Sequence, residues 1–390
     1  MEQLQAGCFC PGKVSFRCMS ALFMLAPEAR STKVAVPDKT AKRFYRPELD
    51  VLRFFAFFLV FLSHGPRLNP SSRIGDAYDR FAGIGICGLS LFFFLSSYLI
   101  TELLLQEKER TGSVHLKSFY IRRILRIWPL YFVGILIGVA LSTWKNAQFG
   151  LSGTELLCLL FFLGYLPGLM KSPVGHLWSI SVEELFYAVW PLLSKISGTA
   201  LFWVGVSILP FSLSLAYYAP SKTWYNPLVQ FFFFAAGCLV AFRLHNKRWS
   251  LIKPVRVLVF SLGVAAWLAI PPLYGYFPVR FAEPAGFVLN ATACILVFLS
   301  ILGMPVGRIL QPFVYLGKIS YGLYVFHLPW LQILQVVVVT RVSHKFVIHL
   351  VAGFLLTVGT AALSYRFLER PFLRLKGRFE FIRTRSPGAV

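Results

Sequence analysis

An arginine and a histidine, Arg53 and His64, lie eleven residues apart in an apolar segment. In a helix, each residue adds 100° of rotation, so eleven residues make three full turns plus about 20° and the two side chains share one face. Their separation along the helix axis is about 16 Å. Asp50 lies one turn before Arg53 and can pair with it. Ionisable groups in apolar helices are costly unless they face a partner or a water-filled cavity. The helical face that carries Asp50, Arg53 and His64 therefore predicts a functional site. In the structural alternative, Asp50 and Arg53 anchor the helix at the membrane interface and His64 is a polar residue at the helix end.

A second cluster contains two adjacent carboxylates, Glu183 and Glu184, at the start of another apolar segment. Ser179 and Ser181 precede them and are expected to cap the helix. The helix dipole favours acidic residues at an N-terminus, which gives the carboxylates a structural explanation. The functional alternative places Glu183 at the depth of His64, because an imidazole with a carboxylate that orients it makes a general base.

Three arginines, Arg122, Arg123 and Arg126, lie just before a third apolar segment. Basic residues at the cytoplasmic end of a membrane helix anchor it there. Guanidinium groups also bind the oxygens of phosphorylated ligands. The cluster is therefore either an anchor or a clamp for a phosphorylated cytoplasmic ligand.

Towards the C-terminus, Ser320, Tyr324 and His327 are spaced by four and three residues and share one helical face. Hydrogen bonding between membrane helices is the favoured interpretation of this pattern. Glu369 and Arg370 follow the last apolar segment and are expected to form a structural ion pair.

The composition indicates where these residues lie. The chain has 390 residues, 57% hydrophobic and only 14% charged, whereas soluble domains average about 25% charged residues. No soluble core of this size could bury so much apolar surface, which excludes a cytosolic enzyme, a secreted domain and a disordered protein. The formal net charge of +23 would suggest a nucleic-acid partner in a soluble protein. In a membrane protein, an excess of Lys and Arg in the cytoplasmic segments explains it.

Hydropathy predicts an all-α, polytopic membrane bundle of about ten transmembrane helices. With a cytoplasmic N-terminus, ten spans place 29 of the 39 Lys and Arg residues on the cytoplasmic side, together with both termini. A shorter stretch, 154–167, is broken by Gly164 and Pro167 and is predicted to be a re-entrant half-helix. The ten longer stretches are 49–66, 86–106, 128–144, 179–195, 200–219, 227–243, 256–273, 285–304, 313–336 and 346–366.

The chain is expected to divide into three parts. Residues 1–45 form a cytoplasmic tail that is disordered or precedes the true start, residues 46–373 form the membrane domain, and residues 374–390 form a basic cytoplasmic tail. The seven cysteines have no zinc-ligand spacing with histidine and suggest no disulfide framework. Neither a metal nor a bound cofactor is therefore expected.

Together these motifs resemble the acyltransferase-3 family of integral membrane O-acyltransferases over residues 44–373. Arg53 and His64 match the family's signature of an arginine, ten residues and a histidine. A second segment resembles its FFxLSGFLI sequence, although Ser97 replaces a glycine and Tyr98 a phenylalanine. The chain is expected to be a stand-alone member without an SGNH-hydrolase-like domain. The segments that carry the resemblance are 53–64, 92–100, 122–131, 176–187, 320–329 and 364–372.

The resemblance implies an enzyme of the inner membrane that transfers an acyl group, commonly acetyl, from cytoplasmic acyl-CoA to a hydroxyl of a carbohydrate acceptor. Its product would be a modified cell-surface or exported polysaccharide, and no nucleic acid is involved. It makes His64 the general base or a transient acyl carrier, oriented by Glu183. The residues expected to bind acyl-CoA are Arg53, Arg122, Arg123 and Arg126, and those expected to support the site are Asp50, Trp178, Ser181, Tyr187, Ser320 and His327.

A transporter or flippase of a lipid-linked or anionic sugar is the competing function, because transporters also bury charges and break helices near their sites. Internal repeats would favour it, and the sequence shows none. A non-catalytic scaffold agrees less well with so many ionisable groups in apolar segments.

Overall fold

The computed structural model describes residues 45–66, 78, 82–144, 150–166, 172–338, 345–380 and 382, which are helical or irregular and contain no strand. Residues 1–44 of the predicted N-terminal tail and most of the C-terminal tail after Glu380 lie outside the described residues. The helices are α1 (Pro47–His64), α2 (Gly85–Thr111), α3 (Leu116–Trp144), α4 (Gly153–Leu160), α5 (Trp178–Leu193), α6 (Gly198–Tyr218), α7 (Pro227–Leu244), α8 (Lys253–Leu268), α9 (Ile270–Tyr276), α10 (Val279–Ile301), α11 (Gln311–Lys318), α12 (Ser320–Val338), α13 (Lys345–Ser364) and α14 (Arg370–Lys376).

Each of the ten predicted apolar stretches coincides with one helix or a pair of consecutive helices, which confirms the all-α membrane class. Seven helical stretches among the described residues are long and apolar enough to cross a membrane. None of α1, α5 and α12 is among them. The first turns of α1 carry Glu48, Asp50 and Arg53, and α5 has only 16 residues. Polar content and length therefore mark α1 and α5 as unlike ordinary spans.

The short helix α4 occupies the first half of the predicted half-helix, 154–167. Its 8 residues span about 12 Å, which is too short to cross a membrane. Ser152 and Glu155 form a reciprocal capping box at its start. After its end the chain turns at Phe162, whose φ of 57° is in the left-handed region. The hydroxyl of Tyr131 on α3 donates to the carbonyl of Leu159 at 2.8 Å and holds the helix in place.

Helices α2 and α7 pack closely at the point where the sequence departs from the family pattern. Ser97 is fully buried, and its hydroxyl donates to the carbonyl of Phe94 at 2.9 Å. A side-chain carbon at Gly237 of α7 would collide with both of those residues. The close approach therefore depends on Gly237. Tyr98 packs its ring 4.5 Å from that of Phe298.

The predicted serine caps of α5 are wrong. The helix begins at Trp178, so Ser179 and Ser181 lie inside it and donate to main-chain carbonyls of the preceding turn. Glu183 and Glu184 consequently lie in the second turn, and no acidic residue lies in the first. Because the dipole acts within the first turn, it does not explain the two carboxylates.

Candidate functional site

A cavity of about 600 Å³ is bounded by α1, α2, α3, α5, α12 and the C-terminal segment after α13. Cationic side chains outnumber carboxylates along its wall, so it is suited to a polyanionic ligand. Of the predicted site residues it is lined by Asp50, Arg53, Arg123, Arg126, Glu183, Tyr187 and Ser320. Its further cations are Arg46, Lys318, Arg370 and Lys376. The sequence singled out Arg370 only as the expected ion-pair partner of Glu369, and the other three not at all.

The predicted pair of Asp50 and Arg53 is present at this cavity. Asp50 is 1% exposed and lies 3.6 Å from a guanidinium nitrogen of Arg53. The same carboxylate accepts a hydrogen bond from the hydroxyl of Tyr45 at 2.9 Å. The pair fixes the Arg53 guanidinium at the cavity wall.

Glu183 faces the arginine side of the cavity. The hydroxyl of Tyr187 donates to its carboxylate, and the guanidinium of Arg123 lies 5.2 Å above the Tyr187 ring. Arg53 lines the same cavity, whereas His64 lies at the other end of α1. The predicted juxtaposition of Glu183 with His64 is therefore corrected. Because α5 begins at Trp178, Glu183 lies in its second turn and lines the cavity, and the neighbour of His64 is His327.

Arg122 is engaged elsewhere and is not among the lining residues. Its guanidinium donates to the carboxylate of Glu107 at 3.0 Å and to the carbonyl of Phe379 at 2.6 Å. The side chain of Glu107 is only 2% exposed. Arg122 thus ties α3 to α2 and to the C-terminal segment, while Arg126, one turn along, faces the cavity.

Trp178 and Ser181 also have structural surroundings. The Trp178 ring lies 5.0 Å from that of Tyr225 and 6.3 Å from that of Trp224. The hydroxyl of Ser181 accepts a hydrogen bond from the main-chain nitrogen of Gly164 at 3.2 Å. These residues hold the segments before α7 and after α4 against α5, and neither lines the cavity.

Three imidazoles form a second cluster beyond the cavity. His64, which is exposed at the end of α1, has Nδ1 2.9 Å from the carbonyl oxygen of Val60 and 3.4 Å from Nε2 of His327. His327 is fully buried, with Nδ1 2.6 Å from the carbonyl oxygen of Tyr324. The ring of His176 lies 5.0 Å from that of His327.

The hydrogen bonds fix the tautomers of two of these rings. A carbonyl oxygen only accepts, so the ring nitrogen that faces it carries the proton. His64 is therefore protonated on Nδ1 and has its lone pair on Nε2. His327 is likewise protonated on Nδ1, and its Nε2 lone pair faces the Nδ1–H of His64. In the neutral form of His64, the basic ring nitrogen is then Nε2.

His176 was not among the predicted site residues. Its Nε2 donates to the carbonyl of Val325 at 3.2 Å, which leaves a lone pair on Nδ1. That nitrogen is buried and has no hydrogen-bond partner among the described residues. Only its position directly before the carboxylate segment could have indicated it in the sequence.

Ser179 and Tyr324 separate the cavity from the imidazoles. Their hydroxyl oxygens are 2.6 Å apart, and both residues line the cavity. The Tyr324 ring lies 5.4 Å from the rings of His176 and His327, neither of which lines the cavity. Within the described ranges, no group of three His, Cys, Asp or Glu side chains could hold a metal ion.

The chain was compared with known families, curated proteins and solved structures. The acyltransferase-3 model, described as an acyltransferase domain, matches residues 46–366. Peptidoglycan O-acetyltransferase OatA of Listeria monocytogenes is 28% identical over 84% of this chain and 56% of its own length. A Bacillus subtilis protein provisionally named peptidoglycan O-acetyltransferase YrhL is 28% identical over 88% of this chain and 57% of its own. The chain thus spans less than three fifths of these relatives. No solved structure matches.

Proposed function

This chain belongs to the acyltransferase-3 family of membrane O-acyltransferases, and from that premise we propose that it transfers an acyl group, acetyl by default, from cytoplasmic acyl-CoA to a hydroxyl of a glycan. The proposed location is the inner membrane, with both termini in the cytoplasm. One observation carries the proposal: a cationic cavity and an exposed imidazole with a basic Nε2 lie towards opposite ends of α1.

The dimensions of the donor support this arrangement. The pantetheine arm of coenzyme A joins its sulfur to its diphosphate through about thirteen bonds. An extended peptide covers about 3.6 Å for every three bonds, so the arm reaches about 16 Å. The helical rise between Arg53 and His64 is also about 16 Å. With its diphosphate at Arg53, Arg123 and Arg126, the donor would present its thioester near His64.

The proposed reaction follows from the tautomer of His64. Nε2 takes the proton of the acceptor hydroxyl while the hydroxyl oxygen attacks the thioester carbonyl. The new C–O bond forms, the C–S bond breaks, and the departing thiolate takes up the proton. His327 Nε2 accepts from the Nδ1–H of His64 and thereby favours the imidazolium. The contact between Ser179 and Tyr324 opens to let the acyl group pass.

The names of the relatives favour peptidoglycan as the first acceptor to test. The experiment incubates purified protein in detergent with radiolabelled acetyl-CoA and soluble peptidoglycan fragments, and measures labelled ester and free thiol. We expect release of the thiol that depends on the acceptor.

The His64→Ala variant tests the base. It is expected to lose transfer while it still inserts into the membrane and binds acetyl-CoA. His349→Gln is the matched control, because His349 is a buried histidine bonded to the carbonyl of Leu331 and lies outside the site. Full transfer by His64→Ala would remove His64 from the reaction. Sugar movement across vesicles without thioester cleavage would instead support the transporter alternative.

A further inference from the structure

The C-terminal part of the described chain forms one wall of the cavity. A π-helical turn, Tyr365–Glu369, joins α13 to α14 and is followed by a 3₁₀ turn, Gly377–Phe379. The family model ends at residue 366, so most of this wall lies outside the matched region. Its lining residues are Tyr365, Arg370, Leu373, Lys376, Gly377 and Glu380.

The π-helical turn directly precedes Arg370, a cation of this segment that lines the cavity. An extra residue in a helical turn rotates everything that follows it, and such turns are frequent at functional sites. The expected ion pair of Glu369 with Arg370 does not occur among the described residues. Glu369 accepts a hydrogen bond from Ser364 at 3.5 Å, and the buried Nε of Arg370 has no hydrogen-bond partner in the part of the chain that the structure describes.

Lys376 supplies a second cation to the same wall. Its ammonium lies 3.0 Å from the carboxylate of Glu380, and their side chains are 14% and 11% exposed. The pair lines the cavity instead of facing solvent. An anionic group that enters here meets one guanidinium and one ammonium that is already partly neutralised.

The wall lies far from the imidazoles. Phe379 contacts Arg122 near the start of α3, whereas Gly134 of the same helix packs against Val325, whose carbonyl holds His176. Arg122 and Gly134 are about 18 Å apart along the axis of α3. The C-terminal wall is therefore at the end of the cavity that is opposite to the site of acyl transfer.

We propose that Arg370 and Lys376 bind the 3′-phosphate of the adenosine end of acyl-CoA. The proposal rests on the proposed function: with the acyl group near His64 and the diphosphate at the inner arginines, the adenosine extends towards the C-terminal wall. A phosphate monoester carries about −1.5 to −2 charges near neutral pH. It suits a guanidinium fork with an adjacent ammonium and competes with Glu380 for Lys376.

The test compares binding of coenzyme A and 3′-dephospho-coenzyme A to the full chain in non-ionic detergent by calorimetry. The wild type is expected to bind coenzyme A about 10-fold more tightly, as one charge-assisted contact implies. In Lys376→Met and in Arg370→Met, affinity for coenzyme A should fall about 10-fold, whereas affinity for the dephospho form should stay within about twofold. Each of these two variants should therefore bind coenzyme A and 3′-dephospho-coenzyme A about equally well.

Arg374→Met and Arg378→Met are matched controls, because both residues belong to the same segment, are exposed and do not line the cavity. They should keep the preference. A wild type that binds both nucleotides equally would overturn this subsite and leave the donor proposal intact. Equal losses for both nucleotides in the Lys376 and Arg370 variants would also overturn it. A wild type that binds neither nucleotide would refute the proposed donor itself.

Discussion

Nδ1 of His64 lies 3.4 Å from Nε2 of His327, although 263 residues separate them in the chain. The ring of His327 is fixed in turn by the carbonyl of Tyr324, which accepts from its Nδ1. The neighbour of the proposed base is therefore a second imidazole. Glu183, the expected partner, accepts a hydrogen bond from Tyr187 at the cavity instead.

Replacing His327 with alanine is expected to slow acyl transfer about 100-fold at saturating acyl-CoA, because His64 Nδ1–H loses one acceptor and the ring loses its support. The KM for acyl-CoA should change little, since His327 does not line the cavity. His327→Gln supplies an amide oxygen that accepts the same hydrogen bond and should recover part of the rate. Steady-state kinetics of both variants check this, and an unaltered kcat in the alanine variant would contradict it.

Arg126→Met is expected to raise the KM for acyl-CoA about 10-fold and to alter kcat less, because Arg126 lines the cavity where the phosphates are proposed to bind. Arg374→Met is the matched control: it removes one arginine charge from the C-terminal segment, where Arg374 is exposed and does not line the cavity. Its KM should match that of the wild type. Equal increases in both variants would show that the general positive potential matters, and not the cavity wall.

Arg122→Met is expected to lower the free energy of unfolding by about 3 kcal/mol, because it leaves the buried Glu107 without its guanidinium. His115 remains 3.3 Å from the same carboxylate and limits the loss. Adding Glu107→Gln should recover part of the stability, because the uncompensated charge is then gone. Thermal unfolding in detergent measures both effects, and a melting temperature equal to that of the wild type would argue against the bridge.

His245, directly after α7, gives the protein a pH-dependent contact. Its ring nitrogens lie 3.0 Å from Glu102 and 2.8 Å from Glu109 of α2. Burial disfavours its charged form, but the two carboxylates outweigh burial and raise the pKa of His245 above its ordinary value. The stabilisation is thus complete below the ordinary pKa of about 6.5 and is lost as pH rises through the raised value.

The measurement is the melting temperature of the wild type and of His245→Gln between about pH 5 and 9. The difference between the two proteins should be largest at low pH and should shrink towards high pH. A difference that grows with pH would mean that the imidazole binds α2 in its neutral form.

Local spacing predicted the contacts that one helix makes within itself. Asp50 pairs with Arg53 as three-residue spacing requires, and the apolar stretches became helices because each is long enough to satisfy its own backbone. The same spacing does not reveal which face a helix presents to its neighbours. Arg122 and Arg126 have similar surroundings in the sequence, but the positions of Glu107 and Phe379, both distant in the chain, make Arg122 a tether.

Local residue spacing also does not predict the residue at which a helix begins. Ser179 was expected to be a cap, and instead α5 begins at Trp178, so Glu183 lies in its second turn and lines the cavity. A π-helical turn precedes Arg370, and no residue type in Tyr365–Glu369 signals that turn.

The hydroxyl contact between Ser179 and Tyr324 has an electrical consequence. In the proposed orientation, one side of this layer is open to the cytoplasm and the other faces the outside, so part of the membrane potential falls across a few side chains. Each elementary charge that crosses 100 mV releases about 2.3 kcal/mol, and a permanent opening would let protons and ions discharge the membrane. In that orientation, the proposed passage of the acyl group requires that the pair close again after each transfer.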